Sequence, residues 1–380
     1  MRRTISAALL AAALLAGCKP KSVETEAKPK KIYLFFTNDL QGETGLCGCP
    51  NRPMGGISRR AKYIGRLAQV QEPVLQVSAG ADFFRQRISH GSAVPAPGAT
   101  DYEKEAALVL AKAAARLKVD AQNIAAVDFR GGRDFLERLP DAVKQYNGLN
   151  LISSNLFDQA TGQPLFETKR IATVAGVRFG VFGVSRAGSQ IPAGVEARDP
   201  RAIAQEMIEE LRTHDKADLV IGLLDLPAED CRRLAAELPG MDIAVVSGDA
   251  QYFWKPEIVG GTLLAGAGSG GKYLGQIAVT YQPDRAGAGS GEHELRKLQD
   301  ELEGLNKELG KAEHDLSTRP KTQARYAELK ARREKVESEL GKIALRFEYN
   351  YVLVPLDATM PEDGEVRSWV IGLERLKDTR

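Results

Sequence analysis

Short apolar runs alternating with amphipathic stretches constrain this chain's fold more than any other feature. Ile32-Tyr33-Leu34-Phe35-Phe36 is short, aromatic and continuously apolar, the pattern of a buried strand. Similar runs are Val74 to Val77, Ile124 to Val127, Leu149 to Ile152, Val177 to Val184, Leu219 to Leu224, Ile243 to Val246 and Leu263 to Ala265. Between them lie helical patterns at Ile57 to Gln69, Tyr102 to Leu117, Ala202 to Thr213 and Ala228 to Glu237. Strand and helix in alternation imply an α/β fold with a mostly parallel sheet and functional loops at the strand ends. Tyr273 to Tyr281 alternates more openly and reads as a strand with one wet face.

Near residue 286 the composition changes. Ala286-Gly287-Ala288-Gly289-Ser290-Gly291 reads as a flexible linker, and behind it Leu295, Leu298, Leu302, Leu305, Leu309, Ala312 and Leu316 form a heptad seam. Ser317-Thr318-Arg319-Pro320 breaks the pattern. A second helix follows, with Tyr326, Leu329, Val336, Leu340, Ile343 and Phe347 on its seam and Arg333 weakening it. A short turn between two such helices predicts an antiparallel coiled-coil hairpin. Helices of about 24 residues would project on the order of 36 Å. The chain then returns to strand at Tyr349 to Leu356 and closes with a helix after Pro361-Glu362-Asp363.

The N-terminus reads as an export signal. Arg2 and Arg3 precede an apolar stretch, Thr4 to Gly17, that falls short of the about 20 residues needed to span a bilayer. Leu15-Ala16-Gly17-Cys18 resembles the lipobox of bacterial lipoproteins, which makes Cys18 the expected lipidation site. Lys19 after the cysteine favours sorting to the outer membrane by that resemblance, with the body facing the periplasm or the exterior. The expected divisions are a signal peptide and lipobox at 1–18, a polar tether at 19–30, a main domain at 31–286, the hairpin at 287–347, and a closing strand and helix of the main domain at 348–380. Basic and acidic residues nearly cancel, 52 against 50, so no nucleic-acid partner is expected. The expected partners are the membrane, through lipid, and an envelope protein, through the hairpin.

Several segments together resemble the metallophosphoesterase (calcineurin-like) superfamily, on its exported 5′-nucleotidase-like branch. They are Phe36-Thr37-Asn38-Asp39-Leu40-Gln41-Gly42, Val77-Ser78-Ala79-Gly80-Ala81-Asp82-Phe83-Phe84, and Asn123-Ile124-Ala125-Ala126-Val127-Asp128-Phe129. Ser154 to Asp158, Gly176 to Gly183 and Gly270-Gly271-Lys272-Tyr273-Leu274-Gly275 follow in the same order. The resemblance covers roughly 32–283 and implies a four-layer α-β-β-α sandwich, into which the helical hairpin would be inserted. It also implies a dinuclear metal site in which imidazoles, an amide and carboxylates activate a bridging hydroxide.

At those positions the chain departs from the family pattern. Asp39 keeps the first carboxylate, but Gln41 replaces the histidine two residues on. The bridging aspartate falls on Ala81, the Asn-His pair on Ala126 and Val127, the next histidine on Asp225, and the late Gly-His-x-His on Gly248-Asp249-Ala250-Gln251. The chain has four histidines, His90, His214, His293 and His314, none beside an expected site loop. Alanine and valine supply no donor atoms, so the metal site is expected to be lost, with no cofactor. The alternative is a rebuilt hard-oxygen carboxylate site for Mg, Mn or Ca from Asp39, Asp82, Asp128, Asp225 and Asp249. The favoured reading is plainer: Asp82 and Asp128 cap helices or turns, and Asp39, Asp225 and Asp249 are solvated loop acids.

Three other motifs carry possible chemistry. Gly266 to Tyr273 looks like a phosphate loop but lacks the magnesium hydroxyl and leads into a strand. Cys47 and Cys49, one residue apart, resemble a Cys-Gly-Cys insert of an exported subgroup. They suit a soft-metal or redox role, a loop staple, or the pairing of one thiol with Cys231. Arg59 and Arg60 open a helix, one expected to pair with Asp39 and the other to face water. The resulting expectation is a non-enzymatic, lipid-anchored envelope binding or scaffold protein. An active phosphoric ester hydrolase is the first alternative and a thiol protein acting through Cys47 and Cys49 the second.

Overall fold

A computed structural model describes residues 30–47, 51–85, 98–188, 190–281, 292–316 and 322–378. In chain order, β1 (Lys30–Thr37) leads to α1 (Ile57–Gln69), β2 (Val74–Ser78), α2 (Asp101–Leu117) and β3 (Ala121–Asn123). A 3₁₀ turn (Ala126–Gly131) and α3 (Arg133–Ala142) precede β4 (Leu151–Ile152), β5 (Leu156–Asp158), β6 (Lys169–Val174) and β7 (Val177–Ser185). Then come β8 (Val195–Ala197), α4 (Pro200–Thr213), β9 (Leu219–Asp225), α5 (Ala228–Glu237) and β10 (Ile243–Ser247). The chain continues through β11 (Glu257–Val259), β12 (Thr262–Ala265), β13 (Tyr273–Tyr281), α6 (Glu292–Leu316), α7 (Thr322–Ala344), β14 (Phe347–Pro355) and α8 (Gly364–Asp378).

Two sheets stack face to face. The first runs β14-β13-β1-β2-β3-β4 and the second β11-β12-β10-β9-β7-β6. Parallel pairing joins β1 to β4 in the first sheet and β12, β10, β9 and β7 in the second, while the flanking strands are antiparallel. Leu34, Phe36, Leu75 and Val77 meet Phe179, Val181, Ile221, Leu223 and Val245 between the sheets, all but wholly buried. Outside the first sheet lie α1, α2, α3 and α8, through Ile57, Leu110, Leu136 and Val370. Outside the second lie α4 and α5, through Met207, Leu211, Cys231 and Leu234. Strands covered on both faces explain the continuous apolar runs, and the result is the expected four-layer α/β sandwich.

The sheets are tied together at one edge by a polar bridge. Asn123, 1% exposed, ends β3, and its Nδ2 donates to Ala79 O in the first sheet (3.1 Å) and to Val184 O and Leu223 O in the second (3.2 and 3.3 Å). Gly183 faces it, and a Cβ there would lie 2.3 Å from Asn123 Oδ1. This edge holds the carboxyl ends of the parallel strands, where ligand sites of α/β folds form.

Three sequence expectations require correction. Ile124 to Val127 is not a strand: β3 ends at Asn123, and Ala126 begins the 3₁₀ turn because Asp128 Oδ2 accepts from Ala125 N–H (3.0 Å). Leu149 precedes rather than enters β4. Phe347 belongs to no helical seam; it opens β14 and is buried between the sheets. Between β13 and β14, α6 and α7 pack through Leu298, Leu305, Leu309, Ala312, Leu329 and Val336. Ion pairs Glu301–Arg332 (2.8 Å) and Glu308–Arg325 (3.2 Å) run in opposite senses along them, so they are antiparallel. The linker at 286–291 and the break at 317–320 lie outside the described residues.

Candidate functional site

The carboxyl ends of β1, β2, β7, β9 and β10 converge on a cleft of about 170 Å³. Asp39, Gln41, Ala81, Ala126, Val127, Asp225 and Asp249 line it, together with Arg186, Gln190 and Gly248. Most positions singled out by resemblance are therefore gathered in one place. Gln251 is not among the lining residues; it is exposed, and its carbonyl accepts from Gly268 N–H (3.1 Å).

The loops are held in a specific shape. Asp39, Gln41, Ala81 and Ala250 all have left-handed backbones, with φ of 50°, 55°, 57° and 53°. Such conformations are strained for residues with a Cβ and persist only where the surroundings impose them. Here Asp39 N–H donates to Gly80 O (2.9 Å), Gln41 N–H to Ala81 O (2.9 Å) and Gly42 N–H to Asp82 O (2.8 Å), so the first two loops are laced together. Asn38 extends the lacing, donating to Gly268 O (2.8 Å) and accepting from Ala267 N–H (2.8 Å).

The carboxylates have separate roles. Asp39, 3% exposed, accepts from Asn38 Nδ2 (2.9 Å) and Gly248 N–H (3.2 Å), while burial pushes its pKa upward. Asp225, also 3% exposed, accepts from Ala126 N–H (3.3 Å) and faces Arg186 Nη2 at 3.6 Å. Burial raises its pKa to about 6 against the pull of Arg186. Asp249 is exposed and accepts from Ala228 N–H (2.8 Å), capping α5.

Asp82 and Asp128 do not reach the cleft, so the structure does not assemble the five carboxylates into one site. Asp82 is buried and accepts from Ser78 Oγ (2.5 Å) and Gln122 Nε2 (2.8 Å). Asp128, fully buried, accepts from Phe83 N–H and Ala125 N–H (both 3.0 Å) and so pins the β2 loop to the 3₁₀ turn. Burial holds its pKa well above the usual carboxylate range.

The residues present do not fit two divalent ions. Where donors would be needed, Ala81, Ala126 and Val127 present methyl groups, and Ala81 and Val127 pack with Ala125 into a small apolar cluster. Among the described residues no group of three or more His, Cys, Asp or Glu is arranged to hold a metal ion. His214 sits exposed at the end of α4, His293 and His314 fall on α6, and His90 lies outside the described residues.

The thiols and arginines also differ from expectation. Cys231 is a free thiol, wholly buried on α5, with its pKa pushed upward by burial, so no Cys47–Cys231 pairing forms. Cys47 is half-buried, and its Sγ accepts from Met54 N–H (3.3 Å); Cys49 and Cys18 lie outside the described residues. Arg59 and Arg60 are both buried, at 8% and 6% exposure. Arg59 pairs with Glu362 (2.8 Å) in the loop before α8, whereas Arg60 lies in the field of Asp82, and neither pairs with Asp39 or faces water. Sequence reading missed Arg186 and Gln190. The available signal was a charged residue one position past a buried parallel strand, level with Asp225.

No family model matches the chain. A 5′-nucleotidase of Vibrio cholerae serotype O1 is 24% identical over 327 residues, covering 74% of this chain and 54% of that protein. The chain thus spans about half the length of the curated relatives it matches. Among solved structures, a 5′-nucleotidase precursor from Thermus thermophilus superposes with a TM-score of 0.63 at 17% identity, over 92% of this chain and 59% of that one. A calcineurin-like phosphoesterase from Bacillus subtilis gives 0.52 at 16% identity, over 66% and 85%. Two stacked sheets, outer helices and a cleft at the parallel strand ends give the chain the fold of the solved 5′-nucleotidases and calcineurin-like phosphoesterases.

Proposed function

We propose that this protein no longer hydrolyses phosphate esters and serves as a lipid-anchored binding or scaffold element of a bacterial envelope, outer-membrane sorted through Cys18. One observation carries the first half of the reading. The cleft lies at the carboxyl ends of the parallel strands, but its lining at Ala81, Ala126 and Val127 has no side-chain atoms that bind a metal or move a proton. Asp39 and Asp225 are already engaged by backbone N–H groups, Asn38 and Arg186. The second half rests on the Leu15-Ala16-Gly17-Cys18 motif and on the α6–α7 pair, whose outer surface is charged and offers itself to a partner.

Purified full-length protein in detergent is expected to hydrolyse neither 5′-AMP nor p-nitrophenyl phosphate above a protein-free blank, with Mn²⁺, Mg²⁺ or Co²⁺ supplied. Turnover in the ordinary enzymatic range of about 1 to 10³ s⁻¹, abolished by Asp39→Asn, would overturn the reading.

A further inference from the structure

Resting on that reading, we infer that the guanidinium of Arg186 is the resident cation of the cleft, a tethered charge that balances its carboxylates and keeps divalent ions out. The placement follows from register. Ser185, the last residue of β7, pairs with Asp225, the last of β9, so the next residue emerges beside the Asp225 carboxylate. Arg186 N–H donates to Asp225 O (3.0 Å), and Nη2 stands 3.6 Å from Asp225 Oδ1.

The pocket is shaped for this group. Gly248, with φ +100°, follows β10, and a Cβ there would lie 1.7 Å from Arg186 Nη2 and 3.1 Å from Asp225 Oδ1. Nη2 itself is buried and makes no hydrogen bond among the described residues, so charge and shape hold it. Asp225 faces Asp39, Asp249 and Arg186 together, two repulsions and one attraction. The guanidinium is covalently tethered to the chain, so unlike an exchangeable ion it cannot leave. A divalent ion entering the cleft would meet that fixed charge at short range in a partly desolvated site. Removing the guanidinium would leave nearly buried carboxylates uncompensated, which is strongly destabilising unless another cation arrives.

The test is Mn²⁺ binding to full-length protein, read from loss of the free-ion EPR signal. The parent and Arg186→Lys are expected to bind no Mn²⁺ above background. Arg186→Met should bind at least about tenfold more tightly than the parent, and Asp39→Asn in that background should remove the gain. Folding is followed by thermal melting: Arg186→Met should melt below the parent, and adding Asp225→Asn should recover at least half of the loss. An Arg186→Met protein that binds Mn²⁺ no better than the parent would overturn the inference, as would a loss that Asp225→Asn leaves untouched. Either result with an inert parent strikes this inference alone; hydrolysis by the parent would instead strike the functional reading beneath it.

Discussion

Buried charge is concentrated around the cleft, and Asp82 shows how it makes stability depend on pH. Its carboxyl is 1% exposed, Oδ1 has no partner among the described residues, and burial raises the pKa to about 6 against Ser78 and Arg60. A carboxyl that holds its proton more tightly when folded favours the fold most below about pH 4, and that contribution is lost as pH rises through about 6. Asp82→Asn removes this dependence. Its urea midpoint relative to the parent should therefore improve between pH 4.5 and pH 7.5, whatever the absolute cost of altering the Ser78 and Gln122 contacts. An offset that stays constant across that range would show that Asp82 is not the group titrating. The chemical character of these positions was legible in the sequence, since Ala81, Ala126 and Val127 announce their lack of donors. Their division of labour was not: Asp82, Asp128 and Asp225 look alike on paper, and only burial and backbone partners separate a turn-locking acid from one that faces the cleft.

At the level of elements, the α6–α7 pair interrupts a hairpin. β13 and β14 pair from Tyr273–Pro355 to Tyr281–Phe347, so the chain leaves and re-enters the sheet at adjacent positions. Closing an excursion whose ends are already neighbours costs little additional entropy. Leu345, 3% exposed, belongs to the core between the sheets, and Arg346 lies 3.8 Å from Asp242, so both should be kept in a truncation. Replacing 283–344 with Asn-Gly leaves a loop of about five residues, a length natural hairpins use. The product is expected to melt in one cooperative transition near that of the parent and to lose any partner that the full chain captures. Loss of the transition would mean that the contact of α7 with β11 supports the body rather than merely touching it. Helix and strand periodicity placed Phe347 on the wrong side of the boundary between α7 and β14. An aromatic residue satisfies a helical seam and a sheet core equally, and pairing with Tyr281 decides between them.

For the whole molecule, the proposed anchor is lipid at Cys18. No helix among the described residues is long and apolar enough to cross a membrane. Cys18→Ser should therefore shift the protein from the membrane fraction to the soluble periplasm or to an uncleaved precursor, read by immunoblot after fractionation, because a single acylated residue is the proposed tether. A variant that still sediments with outer membranes would point to a protein partner instead.

Legible in the residues alone were the buried strands of an α/β fold and the missing donor atoms at Ala81, Ala126 and Val127; the layer order came from the resemblance. Runs buried on both faces must be apolar throughout, and a methyl group binds no metal in any fold. Which charges meet was settled by the packing of the strands and helices. Arg186 finds Asp225 because β7 and β9 end in register, and Gly248 leaves room because β10 ends beside them. Arg59 finds Glu362 across most of the chain because α8 returns to α1. Charge pairing depends on distance through space, and sequence separation carries no information about that distance until the strands are paired.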